Sequence, residues 1–600
     1  MIVKMRKFTF VGPGREKDRF VLRLQDLGVT HINLPAEAVE PSQISKEIQR
    51  VSEVKRFLGR MDKKKESAAR HLDYAEICSK REELGRREAD LLNKTANLRK
   101  ERALLEPWGD FNPDDIAFLR SKGLHIGFYR MPARQFVKLP LEMIYCHIAR
   151  QTEGETSFVA MSSQPVDLGT IEEKLPQKGL SQIDMEIEAC EKELSEINRE
   201  YERLAAKIRT LTDAEVNLKN DYEYRKVLLN TASELDNRVF VLTCWSPVPE
   251  NELIREIGKR FHFGYFCEDP DPDDSVPVLL SNKPAFDSGE DLVNIYSQPN
   301  YSDFDPSGIV LYCFAVFYGL IIGDAGYGFV LLALTGLLHW KIKSTSDLWI
   351  RFRRMSYILA CSVLFWGIVS GGYFGITLGD NNILRSITFL DMGTKEGMND
   401  AMLFSIIIGM IHISLALAIK FYRVRDIASL GWIVVIWSGY ALIKSNMIAG
   451  ASNPGAMWIL IAGMAMVVLF TSNSRNPLIR IALGLNGALG VVQLFSDILS
   501  YMRLFALGLA TMYMCQTFNM LASMPYDGIP YVGIIPAILI LIAGHGINIM
   551  LGVMGGVVHG LRLNFLEWYR WCFEGDGLAF KPFRKIPTDF NRNSKPPETA

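Results

Sequence analysis

A long apolar segment from Gln493 to Phe518 (QLFSDILSYMRLFALGLATMYMCQTF) carries an arginine, Arg503, near its middle. The segment contains no proline and is typical of a membrane helix. A guanidinium stays protonated at physiological pH, and placing it at bilayer depth costs about 3 kcal/mol or more. We therefore expect Arg503 to face a protein partner or a water-filled cavity. The alternative is an arginine that reaches a lipid headgroup, but apolar sequence flanks Arg503 on both sides.

The residues that share the helix face of Arg503 favour a partner helix. On a wheel of about 100° per residue, this face holds Ser496, Leu499, Ser500, Ala506, Leu507 and Ala510. Four of these six residues are small, and small residues let another helix approach the backbone closely. The pattern predicts a surface on which another protein passes a fixed positive charge.

A second polar set lies on the last apolar segment, GHGINIMLGVMGGVVHGLRLNFLEW. Within about 80° of Arg562 on a helical wheel lie Asn548, Gly552, Gly555 and His559. His545 lies near the edge of this arc, and Glu567 is one turn beyond Arg562 on a different face. Because lipid does not tolerate such a cluster, this face is expected to contact protein or water. Each histidine taken alone is more often a hydrogen-bonded core residue than part of an ion path.

The composition divides the chain of 600 residues into two halves. Residues 1 to 305 are rich in charged side chains, whereas residues 308 to 570 contain apolar runs too long for soluble strands. The net charge of −1 argues against nucleic-acid binding. The nine cysteines are scattered without a CxxC pair, so we expect neither a disulfide framework nor a metal site, and no cofactor. The first residues lack the apolar core of a signal peptide, which predicts that the charged half stays in the cytosol.

The charged half, 1–305, is predicted to be a cytosolic α+β domain. Strand-like segments followed by amphipathic helices occur near both of its ends. These segments predict a base lobe formed by residues 1–40 and 235–305.

Two long helical runs, 42–107 and 178–232, lie in the sequence between the two parts of this base lobe. In the second run, apolar residues alternate in steps of four and three along 183–211, which is an unbroken heptad seam. A small α+β distal lobe at 108–177 lies between the two runs. The order predicts one antiparallel coiled-coil arm. Two unrelated coiled coils or a dimerisation zipper are the alternatives, and neither accounts for the lobe.

Residues 306–572 are predicted to form an α-helical membrane domain with about eight transmembrane helices. The glycine-rich stretch GDAGYG turns the first apolar run into a hairpin, because this turn keeps the basic residues that follow on the cytosolic side. Asp324 lies at the turn, where we expect it to contact water. The last two helices, 477–523 and 530–571, exceed the ~20 residues that span a bilayer, so they must tilt or lie partly along the surface. The basic tail, 573–600, is expected in the cytosol.

Enzyme motifs are absent: the chain contains no GxxxxGK[ST] phosphate loop, no GxSxG, no HExxH and no CxxC. We therefore expect that it does not hydrolyse ATP itself. Its own motifs are SYMRLFALGLA (500–510), GH followed by Asn548, VHGLRL (558–563) followed by Glu567, and FEGDG (573–577). Together with GDAGYG and the arm, they resemble the membrane stator subunit of V/A-type rotary ATPases, subunit I or a, over essentially the whole chain. The compact length resembles the prokaryotic form.

The resemblance implies that the chain lies beside a ring of c- or K-type membrane subunits, each with one ion-binding carboxylate. Rotation carries these carboxylates past a fixed arginine, and two offset half-channels load and unload ions. Arg503 matches the essential arginine of the family, and Arg562 matches its second arginine. Further implied partners are peripheral stalk subunits of the E/G type on the arm, central-stalk and ring-linking subunits, and membrane lipid, with no nucleic acid. The implied location is the prokaryotic plasma membrane, with both termini in the cytosol.

The residues expected to carry ion translocation lie on the last two helices. They are Arg503, Arg562, His559, Asn548, His545, Glu567, Ser500, Asp497 and Gln493. Eukaryotic relatives carry an acidic residue on the last helix where this chain has Gly552. The exit half-channel is therefore expected to use His559, Asn548, Glu567 or water.

Two other functions are compatible with the sequence. A secondary transporter with a cytosolic coiled-coil regulatory domain would use the arginines as substrate counter-charges, although the spans show no internal repeat. A non-transporting tether would use only the coiled coil, which leaves Arg503 and the face of Arg562 without a role. Both H⁺ and Na⁺ fit the sequence, because the ion-binding carboxylate lies on the ring subunit.

Overall fold

The computed structural model describes residues 1–35, 37–61, 73–136, 144–152, 154–164, 168–174, 178–236, 238–258, 261–376, 388–390, 392–447, 454–472, 476–528 and 533–588. The predicted start of the last helix at Pro530 lies outside these residues. The chain forms two compact units. The first comprises Met1–Thr9, Thr243–Ile254 and Tyr265–Pro582, and the second comprises Phe10–Leu242, Arg255–Gly264 and the chain from Phe583.

The strands of the described residues form three sheets. They are β1 (Arg6–Pro13), β2 (His31–Ile32), β3 (His125–Pro132), β4 (Tyr145–Gln151), β5 (Glu155–Ser162), β6 (Ala232–Glu234), β7 (Val239–Ser246), β8 (Gly264–Glu268), β9 (Pro277–Val278) and β10 (Leu578–Ala579). The largest sheet has the order β2-β7-β1-β8, with β6 paired to β7. The second has the antiparallel order β3-β5-β4, and β10 pairs in parallel with β9 in the third.

The helices before residue 300 belong to the charged half of the sequence. They are α1 (Lys17–Leu27), α2 (Ser42–Leu58), α3 (Tyr74–Leu105), α4 (Pro113–Ser121), α5 (Ala133–Phe136), α6 (Leu180–Ala205), α7 (Ile208–Asn230), α8 (Glu250–Gly258) and α9 (Asp287–Tyr296).

The later helices are mostly apolar. They are α10 (Ser307–Ile322), α11 (Ala325–Lys341), α12 (Asp347–Ser370), α13 (Lys395–Val424), α14 (Ile427–Met447), α15 (Pro454–Phe470), α16 (Pro477–Ala488), α17 (Gly490–Ser500), α18 (Met502–Gly528), α19 (Ile534–Arg562), a π-helix (Leu563–Trp568) and α20 (Tyr569–Cys572).

An aromatic cluster fastens α1 to the sheet in the second unit. The ring of Phe20 on α1 lies 5.1–5.8 Å, centroid to centroid, from Phe10, Phe240, Phe261 and Phe263. Edge-to-face and tilted pairs of this kind each add about 0.5–1.5 kcal/mol to the stabilisation from burial. The amphipathic helix predicted after the first strand is therefore held by Phe20.

Four helices of the second unit pack in antiparallel pairs. On α3 and α6, the ion pairs Arg87–Glu193 and Arg102–Asp184 join rising residue numbers on one helix to falling numbers on the other. The buried seam between them contains Leu98, Leu105, Ile183 and Cys190. The predicted seam is not one unbroken helix, because Lys207 leaves the helical conformation (φ −98°, ψ 18°) between α6 and α7.

A buried carboxylate, Glu215, joins α2 to α7. It forms ion pairs with Lys55 of α2 and with Lys219, whose Nζ lies 2.7 Å from Oε1. Burial alone would raise the pKa of Glu215, but the hydrogen bonds from both lysines outweigh it and lower this pKa. A carboxylate with a lowered pKa stabilises the folded state above its unfolded pKa, and this contribution disappears as the pH falls through the folded value.

We therefore expect the packing of α2 on α7 to loosen in acid, below about pH 4. Glu215→Gln should loosen it at pH 7 and remove most of the pH dependence. Hydrogen exchange of α2 and α7, corrected for intrinsic rates, measures this. Glu53→Gln on the exposed side of α2 serves as the control, and equal pH dependence in both variants would contradict the assignment.

Five helices are long and apolar enough to cross a membrane by length and composition. They are Asp347–Ser370, Lys395–Val424, Ile427–Ser445, Leu478–Tyr526 and Ile534–Cys572. Two shorter apolar helices are Ser307–Ile322 and Pro454–Phe470. The larger number of crossings predicted from the sequence is therefore not confirmed among the described residues. As predicted, the last two helical runs are long, at 49 and 39 residues.

The turn at Gly323 and Asp324 reverses the chain between α10 and α11, and both helices pack on α12. Ser362 and Ser370 of α12 donate to the carbonyls of Ala315 (2.6 Å) and Gly323 (2.8 Å), so α10 and α12 run parallel. Asp324 is buried and caps α11 by accepting from the amide of Tyr327 at 3.0 Å. The prediction that Asp324 contacts water is wrong, because α12 covers the turn.

Gly367 of α12 provides the space for this close approach. A Cβ at Gly367 would lie 2.0 Å from the amide nitrogen of Ala325 and 2.4 Å from the carbonyl carbon of Asp324. We expect Gly367→Ala to displace α12 at a cost of about 1–3 kcal/mol or more, measured as loss of folded protein and of thermal stability in detergent. Gly336→Ala on α11, where a Cβ meets no atom within 4 Å, should be neutral or stabilising. Equal effects of the two variants would contradict this expectation.

Candidate functional site

A π-helix changes the register of the last helix just after Arg562. In the segment Leu563–Trp568 each turn contains more residues than in an α-helix. On an α-helix, Arg562 and Glu567 would lie about 140° apart. With the π-turn, the Nε atom of Arg562 lies 3.9 Å from Oε1 of Glu567. The prediction that Glu567 occupies a different face from Arg562 is therefore wrong.

Arg503 forms an ion pair with the same oxygen of Glu567. Its Nη2 donates to Oε1 of Glu567, and its Nε donates to the carbonyl oxygen of Ser500 at 2.9 Å. Glu567 is buried, whereas the Arg503 and Arg562 side chains are 24% and 53% exposed. Two guanidiniums share one carboxylate, so the site keeps a net charge of +1. The buried carboxylate alone does not neutralise both guanidiniums. Because both arginine side chains are partly exposed, a further anion can reach them.

Asp497 belongs to a separate ion pair. Its Oδ1 accepts from Arg570 at 2.9 Å and from Gln493 at 2.8 Å, and its Oδ2 accepts from Trp571 at 3.0 Å. Asp497 is buried, so these contacts tie α17 to α20. Asp497 and Gln493 are thus brought together with Arg570. Ser500 contributes its carbonyl to Arg503, while its hydroxyl donates to the carbonyl of Ser496 at 3.1 Å.

A third polar cluster surrounds the hydroxyl of Tyr327 on α11. This hydroxyl lies 2.8 Å from Nδ1 of His545 and accepts from Nδ2 of Asn548 at 3.0 Å. Nε2 of His545 lies 3.1 Å from Oδ1 of Asn519 on α18, and Asn548 also donates to the carbonyl of Thr511 at 3.0 Å. The cluster forms a continuous hydrogen-bonded chain between α11, α18 and α19, which can relay a proton or hold these helices in register.

His559 and Gly552 lie between these clusters on α19. Nδ1 of His559 is buried and has no hydrogen-bond partner in the described part of the chain. A Cβ at Gly552 would lie 3.5 Å from Cγ1 of Ile322, so this position faces the apolar side of α10. Of the two, only His559 offers a polar atom.

The structure thus divides eight of the nine predicted residues among three clusters, and the ninth, His559, lies between clusters on α19. Arg503, Arg562, Glu567 and Ser500 meet in the first, Asp497 and Gln493 in the second, and His545 and Asn548 in the third. Sequence reasoning missed Tyr327 and Arg570. The tyrosine of GDAGYG was visible as part of a motif, but nothing in the sequence indicated its partners 218 and 221 residues away. Among the described residues, no group of three or more His, Cys, Asp or Glu is placed to hold a metal ion.

Comparison with known proteins shows similarity over most of the chain. The chain is 28% identical over 683 residues to the V-type ATP synthase subunit I of Chlamydia trachomatis, covering 99% of this chain and 100% of the relative. It is 27% identical over 590 residues to that of Chlamydia pneumoniae, covering 83% and 84%. It is 29% identical over 451 residues to the A-type ATP synthase subunit I of Methanocaldococcus jannaschii, covering 69% and 64%.

Two further comparisons do not help to assign the fold. No family model matches the chain. A crystal structure of the cytoplasmic N-terminal domain of subunit I, homolog of subunit a, of V-ATPase aligns with 44% of this chain and 99% of that one, at 14% identity and a TM-score of 0.21. A TM-score this low does not establish a shared fold. The sequence similarities confirm the resemblance to subunit I of V/A-type ATPases that the motifs indicated.

Proposed function

We propose that this chain is the membrane stator subunit of a V/A-type rotary ATPase, the family whose subunit I proteins it resembles over most of its length. It couples ATP hydrolysis or synthesis, which occurs on other subunits, to translocation of H⁺ or Na⁺ across the prokaryotic plasma membrane. The observation that carries the proposal is the pair Arg503 and Arg562 sharing Glu567 between the two longest apolar helices. This arrangement holds a net positive charge where a passing carboxylate would neutralise it.

The charge of Arg503 acts on the ion-binding carboxylate of a ring subunit. In lipid such a carboxylate is favoured in its neutral or ion-bound form, because a free charge is costly there. An opposite charge within about 4–6 Å favours the ionised form. Arg503 therefore releases the ion from each passing carboxylate. Because a guanidinium cannot lose its proton, it also blocks direct leakage between the two half-channels.

The polar clusters on either side of Arg503 supply the half-channels. With the N-terminal half in the cytosol, α18 runs outward and α19 returns. The cluster of His545, Asn548 and Tyr327 then lies on the outer side of Arg503, and the cluster of Asp497 and Gln493, which precedes Arg503 on the outgoing run, lies on the inner side. We assign them to the outer and inner half-channels.

The helical arm holds the complex against rotation. The antiparallel packing of α3 on α6 and of α2 on α7 supports one arm that leaves the base lobe and returns to it. The distal lobe, with the sheet β3-β5-β4, lies between the outgoing and returning helices in the chain. We assign to this arm the peripheral stalk subunits of the E/G type. Ring, central-stalk and ring-linking subunits and membrane lipid are the other partners.

Purification followed by reconstitution tests the proposal. The tagged chain should co-purify with a small ring protein and with soluble ATPase subunits, and the complex in liposomes should transport H⁺ or Na⁺ when ATP is added. A chain that purifies alone and transports a solute by itself would instead be a secondary transporter. Co-purification with these subunits but no ion flux when ATP is added would identify a tether.

A further inference from the structure

The helix that carries Arg503 has a tightened turn at Tyr501, two residues earlier. The amide of Tyr501 donates to the carbonyl of Ile498 at 3.1 Å, and its carbonyl accepts from the amide of Leu504 at 3.0 Å. Bonds over three residues belong to a 3₁₀ turn, which inside a long helix often marks a functional hinge. The direction of the helix that bears Arg503 therefore depends on how Tyr501 is held.

Helix α13 provides a seat for the buried side chain of Tyr501. A Cβ at Gly409 would lie 2.6 Å from the ring atoms Cγ and Cδ2 of Tyr501, so only glycine leaves room for this ring. One turn further along α13, Nδ1 of His412 lies 2.7 Å from the Tyr501 hydroxyl. The ring of Phe317 on α10 closes the seat, with its centroid 5.8 Å from that of Tyr501.

The same imidazole packs on the other side of the ion pair. His412 stacks on Trp568 with ring centroids 5.5 Å apart and an interplanar angle of 8°. Trp568 follows Glu567 directly and is fully buried, as is the His412 ring. One side chain thus contacts the residue two positions before Arg503 and the residue next to Glu567.

We propose that His412 is a positioning residue that fixes Arg503 relative to Glu567. It binds the hydroxyl of Tyr501 on one side and stacks on Trp568 on the other, so both members of the ion pair are positioned relative to α13. A ring carboxylate then meets the guanidinium at a constant position during each passage. This inference rests on the proposed function, because positioning matters only if a carboxylate passes.

Variants of His412 and Tyr501 in the intact complex test this role. His412→Phe keeps an aromatic ring against Trp568 but loses the hydrogen bond, as does Tyr501→Phe from the other side. His412→Asn keeps a polar atom near the position of Nδ1. The readout is ATP-driven ion uptake per ATP hydrolysed, measured in liposomes and normalised to assembled complex. A purely structural role would lower the amount of complex without changing this ratio.

We expect each Phe variant to lower the uptake ratio by about two- to tenfold, the range for one lost hydrogen bond. The double variant should be no worse than the worse single one, since both remove the same bond. His412→Asn, which keeps a polar atom near Tyr501 but loses the stack on Trp568, should lower the ratio less than His412→Phe. Ser405→Ala, which removes a hydroxyl bound to the carbonyl of Ala401 on the same helix, should retain all of it. A normal ratio in Tyr501→Phe, or equal ratios in the Asn and Phe variants, would overturn the inference.

Failure of this inference is distinguishable from failure of the proposed function. If complexes with Arg503→Lys transport ions normally, the stator function itself is wrong. If Arg503→Lys stops transport while the Tyr501 and His412 variants keep a normal ratio, only the positioning role of His412 is wrong.

Discussion

Arg503→Lys is expected to abolish ion transport coupled to ATP turnover while the complex still assembles. The guanidinium uses two different nitrogens, Nε towards the carbonyl of Ser500 and Nη2 towards Glu567. A lysine has one nitrogen on a flexible stem and cannot hold both groups while facing a third. Losing one hydrogen bond to a charged group costs about 1.5–3 kcal/mol, which corresponds to at least about a tenfold lower rate. A buried lysine can also lose its proton, which would open a leak.

The measurement is ATP-driven ion uptake by the purified complex in liposomes, with ATPase activity and subunit composition determined in parallel. Arg480→Lys on α16 is the matched control, because Arg480 lies on the same helical run and contacts the carbonyl of Leu469 and the ring of Phe470. We expect normal uptake with this control. Normal uptake with Arg503→Lys would refute the proposed mechanism, and loss of the assembled complex would assign Arg503 a structural role.

The two arginines were predictable from sequence because a charge in a long apolar run has few explanations. Their shared carboxylate was not, although Glu567 was among the expected residues. A helical wheel assumes 3.6 residues per turn, and the π-turn at Leu563–Trp568, which contains Glu567, does not follow that period. No simple periodicity in VHGLRLNFLEW indicates this turn.

The periodicity of the sequence does not predict contacts between segments that are far apart in the chain. Tyr501 and His412 are 89 residues apart, and each lies in an apolar run where a lone polar side chain reads as an ordinary core residue. The burial of Asp324 likewise depends on α12, because Gly367 lets that helix touch the turn. The heptad pattern did identify buried residues of α6 such as Ile183 and Ile197, but not the break at Lys207. Local pattern predicts which face is buried, whereas the partner of that face is decided by tertiary packing.

Glu567→Gln is expected to slow coupled transport by a change of charge at nearly constant shape. The amide oxygen of glutamine can still accept from Nη2 of Arg503, so the geometry is kept. The two arginines then lose their common carboxylate, and the net charge of the site rises from +1 to +2. A ring carboxylate should be held more tightly and leave more slowly. Steady-state ATPase activity and ion uptake by the complex should both fall by about tenfold or more, since a close charge contributes several kcal/mol at an effective dielectric constant of ~20.

A second substitution separates the charge from other effects of the amide. Combining Glu567→Gln with Arg562→Gln returns the net charge to +1 while leaving Arg503 in place, so transport should recover in part. Glu574→Gln is the control for an acid-to-amide change in the following segment, because Glu574 is 70% exposed and its Oε1 lies 3.6 Å from Nη2 of Arg423. If Glu567→Gln transports ions at the normal rate, the carboxylate only fills space between the arginines. If the double variant transports ions more slowly than Glu567→Gln, Arg562 itself contacts the ion path. The net charge of the site then does not determine the transport rate.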